Sequence, residues 1–460
     1  MKINTIGIMT GNSLDAVDVV LTAFEDNAIE DLKAFSFAYP DRLKQQFIEL
    51  REHIKQYAAT EDAMNDPLFV QTVESYTRLV AEAVNHLVEI SGLERNQIAA
   101  LGFHGQTCDH FPPSIAGNGQ PYTLQVGDAR LLADLTGIPV IYDFRSDDIM
   151  NGGEGAPLAP LHNFHIARMM AGRGHGAVAF CNGGNTGNIA LITRTQDSEH
   201  PQIAGWDIGP FNHLADLLMR EYKRLPFDKD GQFGAEGTVR PDLLSRLFNQ
   251  AAVTGEGENF YHQLPPKSSD PHWYKLVYDE NYSFADNLRT VEYLSAYSYV
   301  YNLRYVHPQL MLPSLYLLFG GGWKNPLVRQ DFENLLHRQG GVLPEHRMIF
   351  ADIFARLPDN PVVDFAGAFG FSGEYMEARI FADMAYCKIV NQPFSLPSTT
   401  GCRTPTVGGV YVLPSQNGLY LLTELLRQYD NPARPEQTPK LWSRAAKGWQ
   451  SLTSATGQNV

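Results

Sequence analysis

Cysteine is scarce in this chain. Four residues, Cys108, Cys181, Cys387 and Cys402, are scattered among 460, and no two stand at CxxC spacing. That scarcity excludes a disulfide framework, shows no zinc-finger pattern, and suits a reducing cytoplasm. Basic residues are also in deficit, with 36 Lys and Arg against 51 Asp and Glu, a net charge of −15. Such a balance offers no basic face to nucleic acid or an anionic bilayer, so neither is expected as a partner. No apolar run reaches membrane-crossing length, and no signal-peptide core follows Met1. A soluble, cytoplasmic protein is therefore expected. Three catalytic signatures are missing as well: the GxSxG elbow of serine hydrolases, HExxH of zinc proteases, and a Walker-spaced P-loop.

What is present reads as an ordinary globular composition, 44% hydrophobic and 19% charged, long enough for two or three domains. Short β-rich runs alternate with amphipathic stretches, which argues for α/β architecture. The clearest helix is expected over about Asn65 to Ile90, opened by Asp66-Pro67 and closed by Gly92. Phe69, Val73, Tyr76, Val80, Val84 and Leu87 step by three or four and form its buried stripe. Strands are expected at Ile98 to Phe103, Ile138 to Tyr142, Ala177 to Phe180, Asn188 to Thr193 and Leu315 to Phe319. Pro112 to Tyr122 reads as a loop, Leu419 to Leu426 as helix-like, and the polar C-terminal segment as a tail. Polar residues gather at the strand ends, where open α/β sheets place ligand sites.

Several segments carry chemistry. Residues Ile6 to Val20 read as strand, polar turn, strand, with Thr10, Gly11, Asn12, Ser13, Asp15 and Asp18 in or beside the turn. Glycine admits a close phosphate, amides and hydroxyls meet its oxygens, and a carboxylate holds Mg²⁺ through water. An ordinary hairpin would look the same. Asp207, between Trp206 and the Gly209-Pro210 turn, could act as a general base or cap its own backbone. Gly320, Gly321 and Gly322, followed by Trp323-Lys324-Asn325-Pro326, let backbone meet a flat ring or a phosphate, or form a plain strand-to-helix turn. His104, His110, His162 and His165 form no known metal spacing and read as structural or solvated.

In their order, these blocks resemble one family, the anhydro-N-acetylmuramic acid kinases, with the related levoglucosan kinases beside them. Met9 to Asp18 is similar to M-S-G-T-S-L-D-G-x-D. His104-Gly105-Gln106-Thr107 and Thr123 to Asp128 resemble S-H-G-Q-T and T-x-Q-I-G-[DN]; Asp143 to Asp148 and Gly152 to Leu158 resemble D-F-R-x-x-D and G-G-Q-G-A-P-L. Gly205 to Asn212 resembles G-F-D-x-G-P-G-N, Phe227 to Gly231 Y-D-x-D-G, Pro265 to Ser268 P-P-K-S, and Gly320 to Asn325 G-G-G-x-x-N.

The resemblance, kept from about Ile6 to Pro414, implies the two-domain actin/hexokinase-like, ribonuclease H-like ATPase fold with an interdomain cleft that closes on the sugar. It implies residues 1–135 as an N-terminal α/β domain completed by part of 385–460, residues 136–384 as the second, and 415–460 as an extension. It implies ATP and Mg²⁺, a homodimer, and hydrolytic opening of a 1,6-anhydro ring coupled to O6 phosphorylation in cell-wall amino-sugar recycling. Asp207 matches the general base. Thr10, Gly11, Asn12, Ser13, Asp15, Gly183, Gly184, Gly320, Gly321, Gly322 and Asn325 match ATP or phosphate contacts, with Asp15 on the metal. His104, Gln106, Arg145, Asp148 and Glu377 match sugar contacts.

The chain departs from the pattern at Asn12, Ala16, Glu154 and Phe211, carries an extra residue within Asn182 to Asn188, and has Ser269-Asp270 where T-G-R is usual. A phenylalanine beside the base is expected to reshape the sugar or phosphate pocket. Kinase action on another anhydro-sugar or sugar, and a non-catalytic ATP-binding relative, therefore stay open. A chaperone-like ATPase fits poorly, because the tail is too short for a peptide-binding domain.

Overall fold

The computed structural model describes all residues except 1, 12–13, 26–27, 54–64, 117–120, 194–201, 255–256, 266, 268, 270–272 and 416–460. The expected extension beyond Ser415, with its Leu419 to Leu426 segment, thus lies outside the described residues. The chain forms two compact units, one of residues 1–165 with 375–460, the other of residues 166–374. The sequence reading drew its lines at 135/136 and 384/385.

The strands in chain order are β1 (Ile3–Thr10), β2 (Ala16–Glu25), β3 (Ala28–Ala38), β4 (Ala100–Phe103), β5 (Gln106–Phe111), β6 (Tyr122–Val126) and β7 (Val140–Tyr142). They continue as β8 (Val178–Gly183), β9 (Thr186–Thr193), β10 (Gln202–Pro210), β11 (Leu315–Phe319), β12 (Val362–Phe365) and β13 (Val410–Val412). The helices that carry the packing are α1 (Asp41–His53), α2 (Pro67–Ser91), α3 (Ala129–Thr136), α4 (Ala159–Ala171), α5 (Phe284–Asn302), α6 (Pro326–Leu336) and α7 (Met376–Ile389).

In the first unit the sheet order is β13-β7-β4-β1-β2-β3. The hairpin strands β1, β2 and β3 are antiparallel, while β4 and β7 run parallel to β1. The second unit repeats the plan as β10-β9-β8-β11-β12, again an antiparallel trio followed by two parallel strands. This pattern, twice over, is the duplicated ribonuclease H-like arrangement of the actin/hexokinase-type ATPase fold. Among the described residues no helix is long and apolar enough to cross a membrane.

Strand periodicity sorts the first unit's side chains. Ile6, Ile8, Val17, Val19 and Leu21 pack on one face with Phe47 of α1, Tyr76 and Val80 of α2, and Leu132 of α3. The alternate residues face the other way, towards α7. There Gly7 and Gly102 admit the helix backbone: a Cβ at Gly7 would lie 1.8 Å from the Ala378 carbonyl oxygen, and one at Gly102 2.0 Å from that of Phe381. Both contacts are too short for any side chain, so α7 seats directly on the sheet. In α2, Asp66 accepts from the Leu68 and Phe69 amides, Pro67 starts the helix, and Gly92 ends it at φ 72. The second unit is built around α5, whose Tyr293, Tyr297, Tyr299 and Tyr301 are all buried.

Candidate active site

The first unit supplies the β1–β2 turn. The Leu14 amide donates to the Gly11 carbonyl at 3.2 Å and closes it; Asn12 and Ser13 lie outside the described residues. Gln106, at the start of β5, donates to the same Gly11 carbonyl at 3.3 Å and accepts from the Tyr39 hydroxyl at 3.1 Å. The Thr10 hydroxyl is turned inward onto Tyr76, 3.0 Å away. Asp15 is exposed and ion-paired with Lys44 at 3.2 Å.

Beside this turn is a buried cluster of alternating charge. Arg145 donates from Nε to His104 Nε2 at 3.0 Å and from a terminal nitrogen to the Gly155 carbonyl at 2.7 Å. Because His104 accepts through Nε2, its proton sits on Nδ1. Burial and then the nearby guanidinium hold its pKa well below the usual imidazole range. Burial also pulls Arg145 down to about 10, against the opposing pull of Glu377 and Asp148. The Glu377 carboxyl is pushed up by burial and by Asp18, which the Arg145 charge offsets. Asp18 reaches this cluster because it lies on the β2 face opposite Val17 and Val19, and Ser36 of the neighbouring β3 donates to it. Phe381, one turn beyond Glu377 on α7, stacks on the His104 ring at 4.6 Å. Asp148 is fully buried and accepts from the Gly155 amide at 2.7 Å and the Thr400 hydroxyl at 2.6 Å. It therefore shapes the loop that carries Gly155.

The second unit supplies two glycine turns and Asp207. A Cβ on Gly320, at φ 94, would lie 2.7 Å from the Asn182 amide oxygen and from the Gly183 carbonyl. One on Gly322 would lie 2.2 Å from the Asn212 side chain. The β8–β9 turn and the β11 turn thus touch backbone to backbone at Gly183 and Gly320, while Gly322 packs on the Asn212 and Phe211 side chains. Asn325 caps α6 by accepting from the Leu327 amide at 3.0 Å and donates to Glu292 at 2.7 Å.

Asp207 lies within β10 at a bulge before Gly209 (φ 124), not on a free Gly-Pro bend. Its amide donates to the Lys267 carbonyl at 3.0 Å, and its carboxylate accepts from the Ser269 amide at 2.8 Å. The Ser269 hydroxyl meets Tyr274 at 2.6 Å, and Tyr274 meets Thr186 at 3.0 Å. Lys267 is buried between the rings of Phe260 and Tyr305 and donates to the Phe260 carbonyl. Burial and then Arg304 pull its ammonium down to about 7, while Asp207 works in the opposite direction. Lys267 and Ser269 beside Asp207, and Phe381 beside His104, are neighbours to which the sequence assigned no role. The P-P-K-S block was the available signal for Lys267; nothing in the sequence paired it with Asp207.

Phe211 is the departure beside Asp207 in sequence. Its ring is 1% exposed and packs on Trp323 at 4.7 Å and Tyr299 at 5.6 Å. The phenylalanine fills the core directly behind Gly183 and Gly322, on the side of the glycine turns. Glu154, a departure in the first unit, accepts from the amide and hydroxyl of Ser114.

Glu292 is a buried acid beneath the Asn325 cap. Burial and then the Asp228 charge push it up to about 8. A carboxyl raised in the folded state contributes stability that is present below its unfolded pKa and is lost as pH rises through the folded one. The wild type is therefore expected to lose more thermal stability between pH 6 and pH 9 than Glu292→Gln, which keeps an acceptor for Asn325. Melting curves of both proteins across that range check this, and parallel curves would remove Glu292 as the proton-binding group.

The duplicated ATPase fold, with a positioned carboxylate and paired glycine turns, defines an ATP-dependent carbohydrate kinase. The sequence profile described as anhydro-N-acetylmuramic acid kinase matches residues 3–341. The anhydro-N-acetylmuramic acid kinase of Brucella suis is 31% identical over 414 residues, covering 89% of this chain and 98% of that protein. That of Haemophilus influenzae is 31% identical over 425 residues, covering 88% and 97%. A ROK family glucokinase structure from Streptomyces griseus aligns over 83% of this chain and 98% of its own at 13% identity, with a TM-score of 0.36. The chain belongs to the anhydro-N-acetylmuramic acid kinase family.

Proposed function

We propose that this chain uses ATP to phosphorylate O6 of 1,6-anhydro-N-acetylmuramic acid while water opens the anhydro bridge. Asp207 takes a proton from water, the water oxygen bonds to the anomeric carbon, and the bond from that carbon to O6 breaks. O6 takes the γ-phosphoryl group, and ADP leaves. The observation that carries the base assignment is the Asp207 carboxylate held by the Ser269 amide at 2.8 Å, with the buried Lys267 beside it.

Sugar contacts are assigned to His104, Gln106, Arg145, Asp148 and Glu377. Arg145 and Glu377 offer the charge and hydrogen bonds; Asp148 acts through the Gly155 loop. Phosphate contacts are assigned to Thr10, Gly11, Asn12 and Ser13, with Thr10 contributing its backbone because its hydroxyl is taken by Tyr76. Nucleotide contacts are assigned to Gly183, Gly184, Gly320, Gly321, Gly322 and Asn325. Asp15 fits Mg²⁺, since an exposed carboxylate tied by a surface lysine is easily recruited and Mg²⁺ needs one or two carboxylates besides water and phosphate. When bound, the ion supplies charge neutralisation on the phosphates. A homodimer and a cytoplasmic location are carried over from the family likeness.

The test is ADP release from Mg·ATP with 1,6-anhydro-N-acetylmuramic acid, with the product weighed by mass spectrometry. A sugar phosphate that has gained one water supports the coupled reaction. A phosphorylated sugar with the ring closed, or no turnover, overturns it.

A further inference from the structure

We infer that α4 and α7 together form a binding site for a zinc-class divalent transition-metal ion, with His165, Asp383 and Cys387 as ligands and His162 as their support. His162 and His165 stand one turn apart on α4, and Asp383 and Cys387 one turn apart on α7, so four donor side chains converge between two helices. The candidate donor atoms of His165, Asp383 and Cys387 all lie within 4.8 Å of one another. His165 Nδ1 is 3.0 Å from Asp383 Oδ1, and Cys387 Sγ is 3.7 Å from the same oxygen. In a tetrahedral zinc site, donors about 2.0 to 2.3 Å from the ion stand roughly 3.3 to 3.6 Å apart. The cluster is therefore already near that spacing and needs only small adjustments to close on an ion.

The chemistry favours this class of ion over Mg²⁺. A nitrogen, a carboxylate oxygen and a sulfur suit zinc or cobalt, whereas Mg²⁺ demands oxygen donors in octahedral array. Asp383 and Cys387 are buried, and His165 is only partly exposed, so the donors are shielded from competing water. The charges close as well. A carboxylate and a thiolate neutralise a dication, the thiol proton passing to solvent on binding. Arg379, the cation that acts on His162, is already matched by Asp31.

His162 adds an independent sign. Its Nδ1 stands 2.8 Å from Asp383, fixing the carboxylate as an outer partner would. Its Nε2 is buried with no hydrogen-bond partner among the described residues. That atom lies on the side of the ring away from Asp383, so the support His162 gives the site runs through Nδ1 alone. None of the four residues belongs to the proposed catalytic set; the three side chains bridge α4 to α7 and leave the fourth position of a tetrahedral ion to a water.

The test uses the full-length protein, stripped with a chelator and titrated with Co²⁺, then with Zn²⁺ against a chromophoric chelator. The expected result is one ion per chain, with the visible bands of tetrahedral cobalt and a thiolate-to-cobalt charge-transfer band. Cys387→Ser should abolish the charge-transfer band, and Asp383→Asn should weaken Zn²⁺ binding at least about 10-fold. Circular dichroism confirms folding, and Cys387→Ser, nearly isosteric, keeps the test informative should Asp383→Asn fail to fold. A spectrum of hydrated octahedral cobalt, or equal Zn²⁺ affinity in wild type and Cys387→Ser, overturns the proposal and leaves a hydrogen-bonded histidine–aspartate cluster.

Discussion

Replacing Asp207 with asparagine is expected to lower sugar-dependent turnover by about two to four orders of magnitude while Mg·ATP still binds. The substitution keeps size and keeps an oxygen for the Ser269 amide, so the β10 bulge and its hydrogen bond to the Lys267 carbonyl persist. What disappears is the capacity to take a proton. A carboxamide cannot accept a proton from water, so the coupled ring opening should stall before phosphoryl transfer. Steady-state rates with the anhydro-sugar, alongside nucleotide binding by calorimetry, separate this outcome from a folding defect. Turnover within a factor of a few of wild type would remove Asp207 from the role of base. Equal loss of nucleotide binding and turnover would mean that the residue supports the fold instead.

Asp31→Ala is expected to cost about 3 to 5 kcal/mol of stability, the range found when one partner of a buried ion pair is removed. Arg379 has a fully buried side chain, and its guanidinium meets Asp31 of β3 through two nitrogens, at 2.8 and 2.7 Å. Removing the carboxylate strips a guanidinium of its bidentate counter-charge in a place water cannot reach. The double variant Asp31→Leu with Arg379→Met should recover much of the loss, since apolar replacements often match such a pair. Denaturant titrations of the single and double variants measure both terms, and an Asp31→Ala midpoint equal to wild type would sink the account. The same helix carries Glu377 two residues earlier, so the single variant should also raise the KM for sugar.

The elements that proved legible were those written in local chemistry. The helix expected over Asn65 to Ile90 is found at Pro67–Ser91, because an aspartate cap, a first-turn proline and a closing glycine all act within a few residues. The strand expected at Leu315 to Phe319 has those bounds. Asp207 was expected beside a Gly-Pro turn, and it stands in β10 at the bulge before Gly209. The register shift at Gly209 is set by pairing with β9, which only the sheet decides. The gathering of Asp18, Arg145 and Glu377 could not be read from spacing, since it depends on α7 returning to the sheet that β1 and β2 begin. The burial of Phe211 could not be read from its motif position, because its rotamer is chosen by the cavity between Trp323 and Tyr299. Glu292 and the α4–α7 histidines gave no signal either, as a buried polar group on a helix breaks periodicity without saying what it meets.

The seating of α7 on β1 and β4 has a consequence for the order of synthesis. The strands that receive the helix at Gly7 and Gly102 emerge from the ribosome long before it, and all of residues 166–374 are made in between. At about 5 to 20 residues per second, the nascent first unit waits roughly 10 to 45 s for its missing layer. Through that interval the α7 face of the sheet, with Ile3, Ala100 and Ile141, lacks its cover. The inserted unit has no such delay, because every strand and helix it needs is continuous in the chain. Translation speed across residues 166–374 therefore sets how long an apolar sheet face is open to a chaperone, or to another nascent copy.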